Sequence, residues 1–183
     1  THMADGFARA SGSPGVILAG QNGPGATNLV TGLAQASAAY SPVVSLAGSL
    51  ASGHVYRDAF QEVDQQALFQ PVTKKTWTVT NTERVPEMMR EAFRTAMSPR
   101  RGPVQLNLPR DILSRTANFE PMQSPNSYRP EALAAAPEAA VSAAAEMLRG
   151  AARPVIIAGG GIKNALGAEE ALALAERLNA PVV

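Results

Sequence analysis

The sequence predicts an α/β fold, a parallel sheet flanked by helices, followed by the beginning of a second α/β domain. Three observations carry that reading. Short apolar runs alternate with stretches of helical period, the pattern of strands joined by crossover helices. The runs are apolar at successive positions, so they need cover on both faces. A turn, Gly23-Pro24-Gly25, sits between one run and one helical pattern, where backbone can approach a ligand closely.

Thr1 to Ala10 reads as the end of a helix, with Ala4, Phe7 and Ala8 at helical spacing and Gly12 placed to stop it. Val16 to Ala19 reads as a short buried strand. Ala26 to Tyr40 follows as a helix with Leu29, Leu33, Ala36 and Tyr40 on one face, ended by Pro42. Val43 to Ala47 is the next strand, and the small polar stretch Gly48 to Asp58 a loop. Val63 to Phe69 reads as a short helix and Thr76 to Thr80 as a strand, with Trp77 in the core. Val85, Met88, Met89, Ala92, Phe93, Ala96 and Met97 fit one helix face closely. Pro99 to Pro103 breaks that helix, and Val104 to Leu108 is a strand. All four strands are expected in one parallel sheet.

From Leu113 to Pro130 periodicity is lost and Ser, Thr, Asn, Gln and Pro dominate, so residues 113–130 read as a linker. Glu138 to Arg149 is then helical, Pro154 to Ala158 a strand, Gly159-Gly160-Gly161 a turn, Ala168 to Leu178 a helix, and Pro181 to Val183 a strand beginning.

The bulk composition mainly excludes. Of 183 residues 45% are apolar, and the net charge is +1 with scattered Lys and Arg. That leaves no basic patch for nucleic acid or an anionic membrane. No apolar run reaches membrane-spanning length, and no secretory signal is visible at Thr1-His2-Met3. There is no Cys, and His2 and His54 are too few and too far apart for a zinc site. These facts lean toward the cytoplasm.

Two segments carry the chemistry. Gly20-Gln21-Asn22-Gly23-Pro24-Gly25-Ala26-Thr27-Asn28 makes a strand, a tight turn and a helix start, and Asp58-Ala59-Phe60-Gln61-Glu62-Val63-Asp64 follows about thirty residues on. Gly-Pro-Gly by itself suits any sharp strand-to-helix turn, and Asn28 suits a cap. Glu62 and Asp64 read as serving the N-terminus of the short helix after them. His54 reads as a loop surface residue.

In this order and spacing the pair resembles the pyrimidine-binding domain of thiamine-diphosphate-dependent enzymes, in the acetolactate synthase branch. Ala4-Asp5-Gly6-Phe7-Ala8-Arg9 and Gly102-Pro103-Val104 through Pro109-Arg110-Asp111 are similar to further segments of that domain. Arg153-Pro154-Val155 through Gly161 resembles the opening of the family's central domain. The resemblance divides the chain into a pyrimidine-binding domain over 1–112 lacking its N-terminal part, the linker, and an incomplete central domain over 131–183. The family's activating glutamate and its metal-binding diphosphate domain have no counterpart in this sequence. The chain is therefore expected to be a fragment, inactive alone and binding no cofactor tightly.

By resemblance, the whole enzyme uses thiamine diphosphate and Mg²⁺ on a small 2-keto acid, as a homodimer or homotetramer with sites between subunits. Gly23, Pro24, Gly25 and Asn28 would bind the cofactor, and Phe60 and Gln61 would face the active site across the subunit interface, as an apolar wall and a polar contact. Lys74 would lie near the substrate channel; a surface lysine is the plain alternative. Gly159, Gly160 and Gly161 match a turn that approaches FAD in acetolactate synthases, so FAD stays open for the whole enzyme. Gln21-Asn22 departs from the Thr-Ser usual in acetolactate synthases and resembles the sulfoacetaldehyde acetyltransferase branch. A third alternative is a non-catalytic α/β module that self-associates or binds a nucleotide. Apolar exposure is expected around the Gly23-Pro24-Gly25 turn and its helix.

Overall fold

The computed structural model describes residues 1–20, 22–120, 124, 135–164 and 167–183. The chain divides into two compact units, Thr1–Arg129 and Pro130–Val183.

The first unit is built on four strands: β1 (Gly15–Ala19), β2 (Val43–Ser49), β3 (Lys75–Thr78) and β4 (Val104–Pro109). They form one parallel sheet in the order β1-β2-β4-β3, as the alternation of apolar runs and helical patterns implies. Helix α1 (His2–Ser11) precedes β1, and α2 (Pro24–Thr27) and α3 (Val30–Ala38) join β1 to β2. α4 (Gln65–Phe69) lies between β2 and β3 and α5 (Val85–Met97) between β3 and β4, and α6 (Arg110–Leu113) follows β4.

Strand periodicity divides the core. Val43 and Ala47 of β2 meet Ala4, Ala26, Leu29, Leu33, Ala36 and Phe69 in one cluster. Val44 joins Val104, Leu106, Leu108, Ala92, Ala96, Val79 and Ile112 in the other. Alternate residues of a strand point to opposite faces, which puts the two clusters on the two sides of the sheet. Each fully buried Leu, Val or Phe contributes roughly 1.5–3 kcal/mol. β4 is buried along its whole length. Its two polar residues therefore need partners: Gln105 Nε2 donates to the Leu106 carbonyl and to Asn107 Oδ1, and Asn107 Nδ2 reaches Thr78 Oγ1.

α5 matches its expected limits. It lays Ala92 and Ala96 onto the sheet with Met88, Met89 and Phe93 around them, because its apolar face repeats at the period of the helix. Trp77 packs half-buried against the same cluster, with Lys75 Nζ 5.0 Å from its ring centre.

Several expectations are corrected. β1 is not a buried strand: it lies at the sheet edge, where Val16 is 50% and Leu18 66% exposed. In α1 the inward position falls to Asp5 rather than Phe7. Asp5 is buried and takes a bidentate bond from Arg9 one turn on. The single helix expected from Ala26 to Tyr40 is two, since α2 ends at Thr27 and α3 runs only to Ala38. Tyr40 leaves the helix face altogether, in a left-handed conformation with φ 54°, and the Arg100 guanidinium lies over its ring. The loop expected from Gly48 is shortened, because β2 continues to Ser49 and a 3₁₀ turn spans Ser52–His54. The linker expected from Leu113 loses that residue to α6, and most of 121–134 lies outside the described residues.

The second unit contains α7 (Glu138–Arg149), α8 (Gly160–Asn164) and α9 (Ala168–Leu178). The strand expected over Pro154–Ala158 is reduced to one parallel bridge, Ile156 to Val182. That bridge does use the strand expected to begin at Pro181. Gly160 and Gly161, expected in a turn with Gly159, open α8 instead.

Candidate functional site

In a parallel sheet all strands end at one edge, and ligands of open α/β sheets bind beyond the carboxyl ends of the strands. Here Ala19 pairs with Ala47, and Gly48 and Ser49 with Leu108 and Pro109, so β1, β2 and β4 finish together. Gly20 and Gly48 close the edge tightly: a Cβ on Gly48 would sit 2.9 Å from the Gly20 carbonyl oxygen.

Asn22 and Gly23 then turn the chain into α2. Gly23 has φ 56° and ψ −116°, a region closed to other residue types. A Cβ there would fall 2.6 Å from the Gln61 carbonyl oxygen and 2.8 Å from Gln61 Cβ. The glycine is thus required twice, by its dihedrals and by close approach of the second motif. Asn22 fastens the contact: its Nδ2 donates to the Gln61 carbonyl at 3.1 Å and more weakly to that of Phe60 at 3.4 Å. The two segments singled out in the sequence, 38 to 39 residues apart at these bonds, therefore meet at the strand ends.

Pro24 and Asn28 are exposed, Gly25 is half-buried and Gly23 is buried. Asn28 donates its backbone N–H to the Pro24 carbonyl, closing α2 from its C-terminal end rather than capping a start. Phe60 stands 82% exposed beside the turn. It helps to line a cleft of about 680 Å³ together with Gly20, Asn22, His54, Arg110 and Asp111. His54 is exposed, as expected, yet borders this cleft.

The carboxylates around the cleft bind backbone. Asp64 accepts from Ala67 N–H and caps α4, as expected. Glu62 does not serve that helix: its two oxygens accept from Tyr56 N–H at 2.6 Å and Ala59 N–H at 3.0 Å. Those N–H groups, Ala59 first and Tyr56 next, hold its carboxyl below the usual range. Asp111 accepts from the N–H and hydroxyl of Ser52, and the Ser52 N–H leads in lowering its pKa. Gln65 is buried and donates to the Gly48 carbonyl at 2.9 Å. Asp111, Gln65 and the backward reach of Glu62 have no signature in sequence spacing, because each bond depends on how a loop returns. Among the described residues no group of three His, Cys, Asp or Glu is placed to hold a metal ion, and no helix is long and apolar enough to cross a membrane.

Lys74 is not brought to this cleft. It precedes β3, so it lies at the strand-start edge of the sheet. Its ammonium donates to the carbonyls of Thr95 and Ser98 and to Ser98 Oγ at the end of α5. Burial there pulls its pKa below the ordinary lysine value. Of the apolar surface expected around the turn and its helix, α3 buries Leu33 and Ala36, while Pro24 in the turn and Phe60 beside it are exposed. Among the exposed apolar side chains of this unit, Phe60 lies beside the turn, and Met3, Phe7, Val16, Leu18 and Tyr56 lie elsewhere.

Residues 1–68 match the thiamine pyrophosphate enzyme N-terminal TPP binding domain, and residues 141–183 match the thiamine pyrophosphate enzyme central domain. The chain belongs to the thiamine pyrophosphate enzymes. The first match contains both the Gly23 turn and the Phe60–Gln61 loop. Curated relatives extend the likeness along the whole chain. A probable acetolactate synthase large subunit of Methanocaldococcus jannaschii is 41% identical over 99% of the chain and 31% of its own length. Acetolactate synthase isozyme 3 large subunit of Escherichia coli is 40% identical over 100% of the chain and 32% of its length. A sulfoacetaldehyde acetyltransferase of Alcaligenes xylosoxydans xylosoxydans is 44% identical over 99% and 29%. The chain thus spans about a third of the length of the curated relatives it matches.

Proposed function

We propose that residues 1–112 supply the pyrimidine-binding part of a thiamine-diphosphate-dependent carboligase that acts on a small 2-keto acid. The observation that carries this is the Gly23 turn, stripped of side chain and locked against Gln61 at the strand ends. The exposed Pro24 and half-buried Gly25 of that turn, with the apolar wall of Phe60, suit a flat aminopyrimidine ring with polar edges. The cofactor, when bound, supplies the electron sink for decarboxylation and carbon–carbon bond formation. The chain's own residues bind and orient. Gly23 lets Gln61 close on the turn, Gly25 would let backbone come close to the ring, and Asn28 would offer an amide beside it. Phe60 and Gln61 would face the reacting centre as an apolar wall and a polar contact.

On this reading residues 131–183 belong to the central domain, the second half of the site comes from other parts of a dimer or tetramer, and Mg²⁺ is held outside this chain. FAD near Gly159 to Gly161 remains a property to be sought in the whole enzyme. A soluble cytoplasmic enzyme fits the composition. The chain alone is expected to be inactive and to lack micromolar affinity for thiamine diphosphate, which calorimetry with Mg²⁺ would test.

A second reading has its own support. The sulfoacetaldehyde acetyltransferase relative is 44% identical, and Asn22, whose residue type resembles that branch, makes the bonds that join turn and loop. Gln21 lies outside the described residues. The deciding experiment offers the full-length enzyme pyruvate in one assay and sulfoacetaldehyde with phosphate in another. Acetolactate formation supports the first reading; acetyl phosphate and sulfite support the second. Neither product, from an enzyme shown to bind the cofactor, would remove both.

A further inference from the structure

The loop from Leu50 to Asp64 carries Phe60 and Gln61, and its own apolar side chains do not hold it. Tyr56 is 93% exposed, and Phe60 is nearly as open. Its backbone is also unfavourable. Tyr56, Asp58 and Gln61 have φ of 65°, 52° and 61°, and none is glycine. Residues in such conformations persist only when their surroundings over-determine them.

Glu62 provides that determination. Its Oε1 accepts from the Tyr56 N–H and its Oε2 from the Ala59 N–H. In return the Glu62 N–H donates to the Ala59 carbonyl at 2.9 Å. Ala59 is thus held through both of its backbone groups by one residue. The next carbonyls along, those of Phe60 and Gln61, are taken by Asn22. An ionised carboxylate is well suited here, since both oxygens are acceptors and neither brings a donor toward the two N–H groups.

We propose that Glu62 is a positioning residue of this site, whose carboxylate clasps Tyr56 and Ala59 and so fixes Phe60 and Gln61 against the Gly23 turn. What Phe60 and Gln61 do once fixed rests on the functional reading above. The clasp itself can be measured on this chain without cofactor or substrate.

The experiment is amide hydrogen exchange and ¹H–¹⁵N correlation spectroscopy on the chain and two variants. In the unmodified chain the Tyr56 and Ala59 amides should be protected although their residues lie in a loop. Glu62→Ala should abolish both protections and move the Phe60 and Gln61 signals, while Val44 and Leu106 in the sheet keep theirs. Glu62→Gln keeps one acceptor oxygen, so protection should survive at one of the two amides and be lost at the other. This graded partial rescue is what a general loss of packing would not give. Unprotected Tyr56 and Ala59 in the unmodified chain would overturn the proposal, as would Phe60 and Gln61 signals that do not move in Glu62→Ala. If Glu62→Ala fails to fold, the unmodified chain and Glu62→Gln still decide. An intact clasp in a full-length enzyme that lacks carboligase activity would overturn the functional reading and leave the clasp standing.

Discussion

The two edges of the sheet are built for different ends. At the strand-start edge the polar groups and close contacts described are taken up locally. Gly15 packs so closely under α1 that a Cβ would come 2.2 Å from the Ala4 carbonyl oxygen, and its N–H donates to Pro42. Lys74 closes the end of α5, its N–H pairs with the Pro103 carbonyl, and Gly102 lies against its side chain. At the strand-finish edge one loop gathers three left-handed residues, Tyr56, Asp58 and Gln61, and the more exposed aromatics Tyr56 and Phe60, beside a cleft and held by side chains that grip loop backbone. The left-handed Tyr40 and Arg100 of the opposite edge are stacked on each other. On the proposed reading a ligand is met at the strand-finish edge, where exposure and left-handed loop residues coincide, and the rest of the unit supplies the stability that tolerates them. Substitutions at the two edges should therefore separate folding from function.

The largest effect is expected at the closed edge. Gly15→Ala pushes a methyl into the α1 backbone and should destabilise the chain by about 3 kcal/mol. Urea denaturation followed by circular dichroism measures it. A loss well under 1 kcal/mol would mean that α1 can move aside and that this edge is looser than described.

The matching substitution at the open edge should behave differently. Gly23→Ala forces a side chain into a glycine-only conformation and against Gln61, a cost of about 1–3 kcal/mol, part of which the loop can relieve by moving. In the full-length enzyme that displacement should lower kcat/KM by about a hundredfold. Equal activity losses for Gly15→Ala and Gly23→Ala in folded enzyme would erase the distinction between the edges. Gln61→Ala is milder. It keeps the backbone carbonyl that Asn22 holds, so turnover should fall by roughly tenfold while cofactor affinity changes less. A change in affinity alone would assign Gln61 to cofactor binding.

Lys74 sharpens the comparison from the other side. Lys74→Ala removes the donor that caps α5 and should cost about 1 kcal/mol of stability, with kcat and KM of the full-length enzyme unchanged. A raised KM with stability intact would return Lys74 to the substrate channel and contradict its placement at the closed edge.

Much of this was legible in the sequence where a pattern is local. α5 follows from seven apolar residues at helical spacing, and the four strands follow from apolar runs with turn residues between them. Resemblance put the Gly23 turn and Phe60–Gln61 at one kind of site, but their contact within one chain had no signature, since no spacing rule pairs residues 38 positions apart. Other features required the topology itself. Val16 and Leu18 read as core because they are apolar, but strand order leaves β1 at an edge. Lys74 resembles a channel residue, yet parallel strands carry it to the far end of the sheet. Glu62 stands just ahead of a helix, the usual place for a dipole-serving acid, and folds back because the left-handed turn at Gln61 reverses the chain. In the second unit, α7 and α9 were readable from periodicity. The strand expected at Pro154 comes down to one bridge, because a strand needs a partner and among the described residues Val182 alone pairs with Ile156.

The smallest expected effect is the response of the open edge to acid. Glu62 and Asp111 have pKa values lowered chiefly by loop N–H groups, Ala59 and Tyr56 for the first and Ser52 for the second. A carboxyl whose folded value lies below its unfolded one favours the folded loop fully above the ordinary carboxylate pKa of about 4. That contribution fades as the pH falls through the depressed values, because protonation removes the charge that the N–H groups stabilise. Both side chains face solvent, so the loss should loosen the loop without unfolding the sheet. Amide exchange at Ser52, Tyr56 and Ala59, compared between neutral and acidic pH after correction for intrinsic rates, should show protection lost below about pH 4. Val44 and Leu106 should stay protected over the same range. If the loop and the sheet lost protection together, the two edges would be one cooperative unit and the division of labour between them would not hold.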